Sequence, residues 1–296
     1  MKTRISKLLF FSGLILVGLN LLVWQVLARA PTSGILTVAF LNVGQGDAIF
    51  IATPSGKQII IDGGPNRSVF KGLGKLMPFN DRSIDLLIVT NPDQDHIGGL
   101  VEILNNYEVG MIIGPGTKTN TKVYERFGEA SRHAPLLLTA RGGMTLNLGD
   151  GVRLEVLAPV ANAKTWGTND GSLVARLVYG ETEFMLTGDA PEKVERGLLA
   201  TLPSAWLEAD VLKVGHHGSK TSTSQEFVKT VNPKFAVISS GKDNRYGHPH
   251  QKTLETLANA GVKTFRTDTF GTIIFESDGE TITPLIPLTL RGRFSP

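Results

Sequence analysis

"TNPDQDHIGGL", residues 90–100, places Asp93, Asp95 and His96 directly after the apolar run "IDLLIV", residues 84–89. The run reads as a buried strand, Asp85–Thr90. Carboxylates crowded at the end of such a strand repel one another and raise each other's pKa unless a cation neutralises them. Spacings of two and one within a turn aim these side chains at a common point. The bland alternative makes Asp93 a turn residue after Pro92 and Asp95 the cap of a helix starting near Ile97. Imidazole beside carboxylate suits Zn²⁺, Mn²⁺ or Fe²⁺ better than Ca²⁺, which takes oxygen ligands.

Similar clusters recur outward from this stretch, each at the end of an expected strand. They are "IIIDGG" (59–64, with Asp62), "TNDGS" (168–172, with Asn169, Asp170 and Ser172) and "MLTGD" (185–189, with Asp189). "LKVGHHGSK" (212–220) and "GKDNRYGHPH" (241–250) complete the set. Of the 6 histidines only His133 falls outside these clusters. Open α/β sheets gather their sites at such strand ends. Singly, each cluster is an ordinary turn; their shared topological position points to one metal-binding site.

The chain between the clusters alternates. Residues 35–62 read as three strands divided by "GQG" and "PSG" turns. Helices are expected near Val69–Met77, Gly98–Tyr107, Val123–His133, Pro191–Leu202, Ser224–Val231 and Gln251–Ala260. Further strands are expected at Val109–Ile113, Gly143–Leu148, Val152–Ala158, Ser172–Val178, Glu183–Thr187 and Asp210–Val214. Phe235–Ser239, Val262–Arg266, Thr272–Glu276 and Thr281–Thr283 complete the strands. Two β-rich halves, each followed by helices, predict sheets packed together with helices outside.

Composition narrows the chemistry. Without cysteine there is no disulfide, thiolate zinc site or cysteine nucleophile, so histidine, carboxylate or amide oxygen must hold any metal. The net charge is +3, but residues 1–30 carry Lys2, Arg4, Lys7 and Arg29 with no acid, so removing that +4 leaves the remainder at −1. The positive net charge therefore says nothing for a generally nucleic-acid-binding domain, and any basic patch is local.

Leu8–Leu27 is mostly apolar behind a basic start. At about 1.5 Å per residue it matches a hydrocarbon core, and the basic flank places the rest of the chain outside the cytoplasmic membrane. A cleaved signal ending at Ala28-Arg29-Ala30, giving a secreted protein, is the competing reading, against which Pro31 stands. The expected organisation is an anchor or signal segment over 1–30, one domain over 31–284 and a basic, Pro-containing tail over 285–296.

"FLNVGQGDA" (40–48), "IIIDGG", "TNPDQDHIGGL", "FMLTGD", "DVLKVGHHGSK" and "NRYGHP" (244–249) resemble, in order across residues 38–276, the metallo-β-lactamase-fold domain of ComEC-type competence proteins. The multi-span channel region of those proteins is missing, so the chain looks like the hydrolase domain alone on a single anchor. The resemblance implies an α/β fold, a four-layer αββα sandwich, with one or two divalent ions (Zn or Mn) between the sheets. The superfamily's H-x-[HD]-x-D-H motif is matched by Asn91, Asp93, Asp95 and His96. It assigns Asp95 and His96 to a second metal site and Asp189 to a bridge. The last ligand comes from His248, favoured, or from His216–His217, with one of that pair completing the first site beside Asp93. Asn91 departs from the motif, because an amide oxygen is a weaker ligand than imidazole.

These readings predict a metal-dependent hydrolase in which Asp95 or Asp93 orients the nucleophile and a histidine of the 216–217 pair serves the leaving oxygen. Lys213, Lys220, Lys242 and Arg245 flank the ligands and favour an anionic phosphodiester, with DNA and its uptake as the expected context. Asn169, Ser172, Ser219 and Tyr246 join Lys220 and Arg245 as expected substrate contacts. The alternatives are a hydrolase of another ester, of phosphocholine or thioester type, and a non-catalytic module that binds DNA or a partner.

Overall fold

The computed structural model describes residues 11–20 and 34–285, in two units divided at Gly34. In the first unit residues 11–20 form helix α1. Among the described residues no helix is long and apolar enough to cross a membrane. The expected span Leu8–Leu27 lies outside the described residues apart from 11–20, as does the tail beyond Leu285.

The second unit is built on strict alternation. In β1 (Leu36–Phe40), β2 (Ile49–Ala52) and β3 (Gln58–Ile61), Val38, Phe40, Ile49, Ile51, Ile59 and Ile61 face one core. Ala39, Phe50 and Ile60, the intervening positions, face another. Successive strand side chains point to opposite faces, so a strand apolar at every position must be covered on both.

The chain continues through α2 (Val69–Leu76), β4 (Ser83–Ile84), β5 (Leu86–Ile88), α3 (Gln94–Asn106), β6 (Glu108–Val109), β7 (Ile112–Gly114), α4 (Lys122–Ala130) and β8 (Leu137–Thr139). Then follow β9 (Thr145–Gly149), β10 (Val152–Ala158), β11 (Val174–Tyr179), β12 (Thr182–Leu186), α5 (Glu192–Thr201), β13 (Val211–Lys213) and α6 (Gln225–Val231). β14 (Phe235–Ile238), α7 (Gln251–Asn259), β15 (Lys263–Arg266), α8 (Thr267–Phe270), β16 (Ile273–Ser277) and β17 (Ile282–Leu285) close it.

One sheet has 8 strands in the order β17-β16-β1-β2-β3-β5-β7-β8 and the other has 7 in the order β15-β14-β13-β12-β11-β10-β9. Phe40 and Ile61 of the first meet Leu177, Phe184 and Val211 of the second in the central core. The outer face of the first sheet packs on α2, α3 and α4 through Leu73, Leu100 and Phe127. That of the second packs on α5, α6 and α7 through Leu198, Phe227 and Leu257. The result is the expected αββα sandwich. Within each sheet, β3-β5-β7-β8 and β12-β13-β14-β15 run parallel. The C-terminal ends of β3, β5, β12, β13 and β14 carry five of the six polar clusters, and "TNDGS" instead precedes the N-terminal end of β11.

Several elements differ from expectation. α3 starts at Gln94, ahead of Gly98, and β8 is an additional edge strand. The expected strand Val109–Ile113 divides between β6, which pairs with β4, and β7, which joins the large sheet.

Candidate metal centre

The first sheet presents its share of the site on a main-chain lattice. Asp47 N–H donates to Asp95 O (3.1 Å), Gly63 N–H to His96 O (2.7 Å), Gly64 N–H to Asp47 O (2.7 Å) and Gly99 N–H to Gly64 O (2.9 Å). These bonds tie "GQGD", "DGG" and "DHIGG" into one backplate. A Cβ on Gly46 would stand 2.2 Å from Asp95 O, and one on Gly99 2.0 Å from Gly63 O. Only glycine permits that approach.

The second sheet supplies Asp189, in the turn after β12, and His216 and His217, after β13. Both histidines adopt left-handed backbone angles, φ 48° and ψ 49° for His216, φ 54° and ψ 24° for His217. Each costs about 1–2 kcal/mol for a residue with a Cβ. Such strain persists where the surroundings enforce it. Here His216 N–H is held by Gly188 O at 3.1 Å, and both rings are turned toward Asp189.

Asp95, His96, Asp189 and His217 thus converge, each offering a ligand atom within 4.8 Å of all the others. His96 Nε2 lies 3.1 Å from Asp189 Oδ2, and His217 Nε2 lies 3.2 Å from Asp95 Oδ2 and 3.5 Å from Asp189 Oδ1. Behind them, His96 Nδ1 meets Asp62 Oδ2 at 2.8 Å and His217 Nδ1 meets Ser239 O at 3.0 Å. Asp62 is itself fixed by Thr90 N–H at 2.8 Å. With both Nδ1 positions committed to acceptors, each ring turns Nε2 inward. His96 Nε2, His217 Nε2 and Asp189 Oδ1 are buried without a hydrogen-bond partner. Buried polar atoms are almost always satisfied. Imidazoles oriented by carboxylate or carbonyl, with inward donors left open, are the signature of a metal site and its supporting shell. Two nitrogens and two carboxylates fit Zn²⁺ or Mn²⁺.

The electrostatics agree. Burial opposes charge on His217, but Asp189 and Asp47 outweigh it and raise its pKa to about 10. Burial likewise opposes charge on His96, and Asp189 and Asp62 raise its pKa well above the ordinary value. Asp189 is pushed up by burial yet held well below the carboxylate range by His217 and His96. The carboxylates demand positive charge, which protons on the rings supply in the absence of an ion.

The other expected site residues are distributed differently. His248 stands outside the quartet, its ring centre 6.3 Å from that of His217. His217, and not the favoured His248, belongs to the convergent group, its ring lying between Asp95 and Asp189. His216 Nε2 is 3.8 Å from Asp189, at the rim. Asn91 is fully buried, its Oδ1 accepting from Asp93 N–H (2.9 Å) and its Nδ2 donating to Asn169 Oδ1 (2.8 Å) and Ser172 Oγ (3.4 Å). Asp93 Oδ2 accepts from Thr168 Oγ1 at 2.8 Å. Ser219 is buried and bonded to Thr221 Oγ1, which takes it from the expected substrate contacts. Lys220, Lys242, Arg245 and Tyr246 are exposed, with Arg245 stacked 4.9 Å over the Tyr246 ring.

Lys213 is a correction. It is buried, with its Nζ 2.6 Å from Asp47 Oδ2, so it serves the interior and cannot receive a substrate. Asp47 escaped the reading of candidate ligands, although its "GQGD" turn, glycines around an acid at a strand end, carries the same signal as "IDGG". Burial pushes its carboxyl up, but Lys213 and His217 bring it down to about 2.

The profile of the Metallo-beta-lactamase superfamily matches residues 41–242. ComE operon protein 3 of Bacillus subtilis (strain 168) is 35% identical over 254 residues, covering 80% of this chain and 32% of that protein. Recombination protein 2 of Haemophilus influenzae is 34% identical over 258 residues, covering 86% and 30%. Competence protein ComA of Neisseria gonorrhoeae is 30% identical over 268 residues, covering 87% and 36%. The chain spans about a third of the length of these curated relatives. Among solved structures, the metallo-beta-lactamase fold protein YhfI from Bacillus subtilis superposes with a TM-score of 0.56 at 11% identity, over 82% of this chain and 100% of that one, a likeness of fold.

Proposed function

We propose that this chain, which belongs to the metallo-beta-lactamase superfamily, is a metal-dependent phosphodiesterase that acts on DNA outside the cytoplasmic membrane. The observation that carries the hydrolase reading is the convergent quartet Asp95, His96, Asp189 and His217, the last three buried and each with an unpartnered inward atom. A divalent ion held by these four residues supplies Lewis acidity toward a phosphoryl oxygen and lowers the pKa of water. Asp62 and Ser239 O keep His96 and His217 in the tautomers that present Nε2. Asp95, 31% exposed, is the most accessible member and accepts a hydrogen bond from the attacking water. His216, 27% exposed, hydrogen-bonds the leaving oxygen.

Support for a nucleic-acid substrate is local. Lys220, Lys242 and Arg245 are exposed cations on the loops after β13 and β14, the loops that also carry His217 and His248. Tyr246, 49% exposed, stacks on His248 with ring centres 5.7 Å apart and planes at 24°. A cation beside an exposed aromatic face suits a phosphate and its unstacked base. Relatives named for competence and recombination supply the link to DNA and its uptake. The basic residues Lys2, Arg4 and Lys7 before an apolar run support the location.

The test is hydrolysis of bis-p-nitrophenyl phosphate and of single-stranded DNA with Mn²⁺ or Zn²⁺. Turnover is expected to vanish with chelator and to fall about 100-fold or more in Asp189→Asn. Chelator-resistant turnover, or full activity in Asp189→Asn, would remove the proposal. Hydrolysis of a thioester or phosphocholine ester but not of DNA would move it to another ester class.

A further inference from the structure

We infer that the centre takes a single divalent ion, and that an Asn91–Asn169 amide pair closes the position where the superfamily's motif would place a second. The inference rests on the quartet being a metal centre and concerns what stands beside it.

The orientation of Asn91 is fixed by a group that can only donate. Asp93 N–H points at the Asn91 amide from 2.9 Å, so the atom it meets must be Oδ1. A flipped amide would set N–H against N–H inside the protein. Asn91 Nδ2 therefore faces Asn169, and the Asn169 atom 2.8 Å away must be its acceptor Oδ1. The second Nδ2 proton goes toward Ser172 Oγ at 3.4 Å. Asn91 Oδ1 is thus engaged by Asp93 N–H and Asn169 Oδ1 by Asn91 Nδ2, and an amide –NH₂ has no lone pair for a cation. Asn91 has no solvent access, so re-aiming its amide to bring Oδ1 to a second ion would break the bond to Asp93 N–H without water to replace it. A stranded buried donor is strongly unfavourable.

The neighbouring groups are committed as well. Asp93 Oδ2 accepts from Thr168 Oγ1, on the same loop as Asn169. Asp93 belongs to neither of the convergent ligand groups found among the described residues. The other group, Asp47, Asp62 and His96, is closed by a built-in cation: Lys213 Nζ lies 2.6 Å from Asp47 and donates to Gly188 O and Val214 O, both at 3.1 Å. Among the described residues one convergent set remains, with His96 Nε2, His217 Nε2 and Asp189 Oδ1 unpartnered. Its two carboxylates, Asp95 and Asp189, match the charge of one divalent ion.

The experiment is Mn²⁺ and Zn²⁺ binding to the full chain after chelator treatment, by metal analysis and, for Mn²⁺, electron paramagnetic resonance. About one ion per chain is expected, with the spectrum of an isolated Mn²⁺. His217→Gln is expected to weaken binding about 10-fold or more, while Asp93→Asn leaves the stoichiometry unchanged. Asn91→His/Asn169→His, verified as folded by circular dichroism, is expected to take a second ion. Two ions in the wild type, with an exchange-coupled Mn²⁺ spectrum, would overturn this inference and leave the hydrolase reading standing. A folded double variant that still holds one ion would overturn the role given to the amide pair. No bound ion in the wild type would overturn the hydrolase reading together with this one.

Discussion

Lys213 and Asp47 are both 1% exposed at their side chains, with 2.6 Å between Nζ and Oδ2. Asp47 also stands 3.4 Å from His217 Nδ1 and 3.9 Å from His96 Nδ1, so the pair backs both imidazoles of the quartet. Removing one member of a buried pair leaves an uncompensated charge and costs about 3–5 kcal/mol. Lys213→Met is therefore expected to destabilise the fold by about that amount in denaturant unfolding of the metal-free protein. Adding Asp47→Asn should recover part of the loss, since no bare carboxylate then remains inside. A Lys213→Met variant as stable as wild type would show that the Asp47 charge is met in another way. The chain could not announce this pairing: the residues sit on different sheets, and a lysine next to "VGHHGS" reads locally as a surface cation. Asn91 is similar, since its departure from the histidine motif is visible but its partner Asn169 is not.

At the scale of elements, α3 shows why local propensity misplaces a boundary. Gly98 and Gly99 lower helix propensity, and the helix read from the sequence starts only at Gly98. The observed helix runs from Gln94 through both glycines because its first turns lie directly against the backbone of the β3 loop. A Cβ on Gly98 would be 2.1 Å from Pro65 O, and one on Gly99 2.0 Å from Gly63 O. Gly99→Ala must push α3 away from the backplate. A loss of about 1–3 kcal/mol is expected from overpacking alone, with weaker metal binding because Asp95 and His96 ride on that first turn. Higher stability in Gly99→Ala, as helix propensity alone predicts, would refute the close-packing account. The same contrast explains what was legible. β1, β2 and β3 declare themselves because their side chains are buried on both faces, whereas β8 has the pattern exposed, intermediate, exposed and gives no such signal. The glycine-acid turns at strand ends located the site; which histidine completed it depended on the αL backbone of His216 and His217, which spacing does not encode.

Over the whole domain, the quartet joins the two sheets. Asp95 and His96 follow β5 of the 8-stranded sheet, and Asp189 and His217 follow β12 and β13 of the 7-stranded one. An ion bound there contributes its binding free energy to holding the halves together, about 2.7 kcal/mol at a free concentration 100 times Kd. Protons oppose it. Burial disfavours charge on His217, but Asp189 and Asp47 raise its folded pKa to about 10, so in the metal-free protein its ring stays protonated and paired at neutral pH. That contribution is fully present below the unfolded histidine pKa of about 6.5 and is lost as pH rises toward 10. An ion replaces the proton, so metal stabilisation runs in the opposite sense, growing as pH rises across this window and shrinking as it falls. The increment in Tm produced by a fixed free Mn²⁺ or Zn²⁺ concentration should therefore be larger at pH 9 than at pH 6, with proton release in calorimetry across buffers of different ionisation enthalpy. An increment independent of pH, with no protons released, would mean that the ion binds away from His96 and His217, and the bridge between the sheets would have to be sought elsewhere.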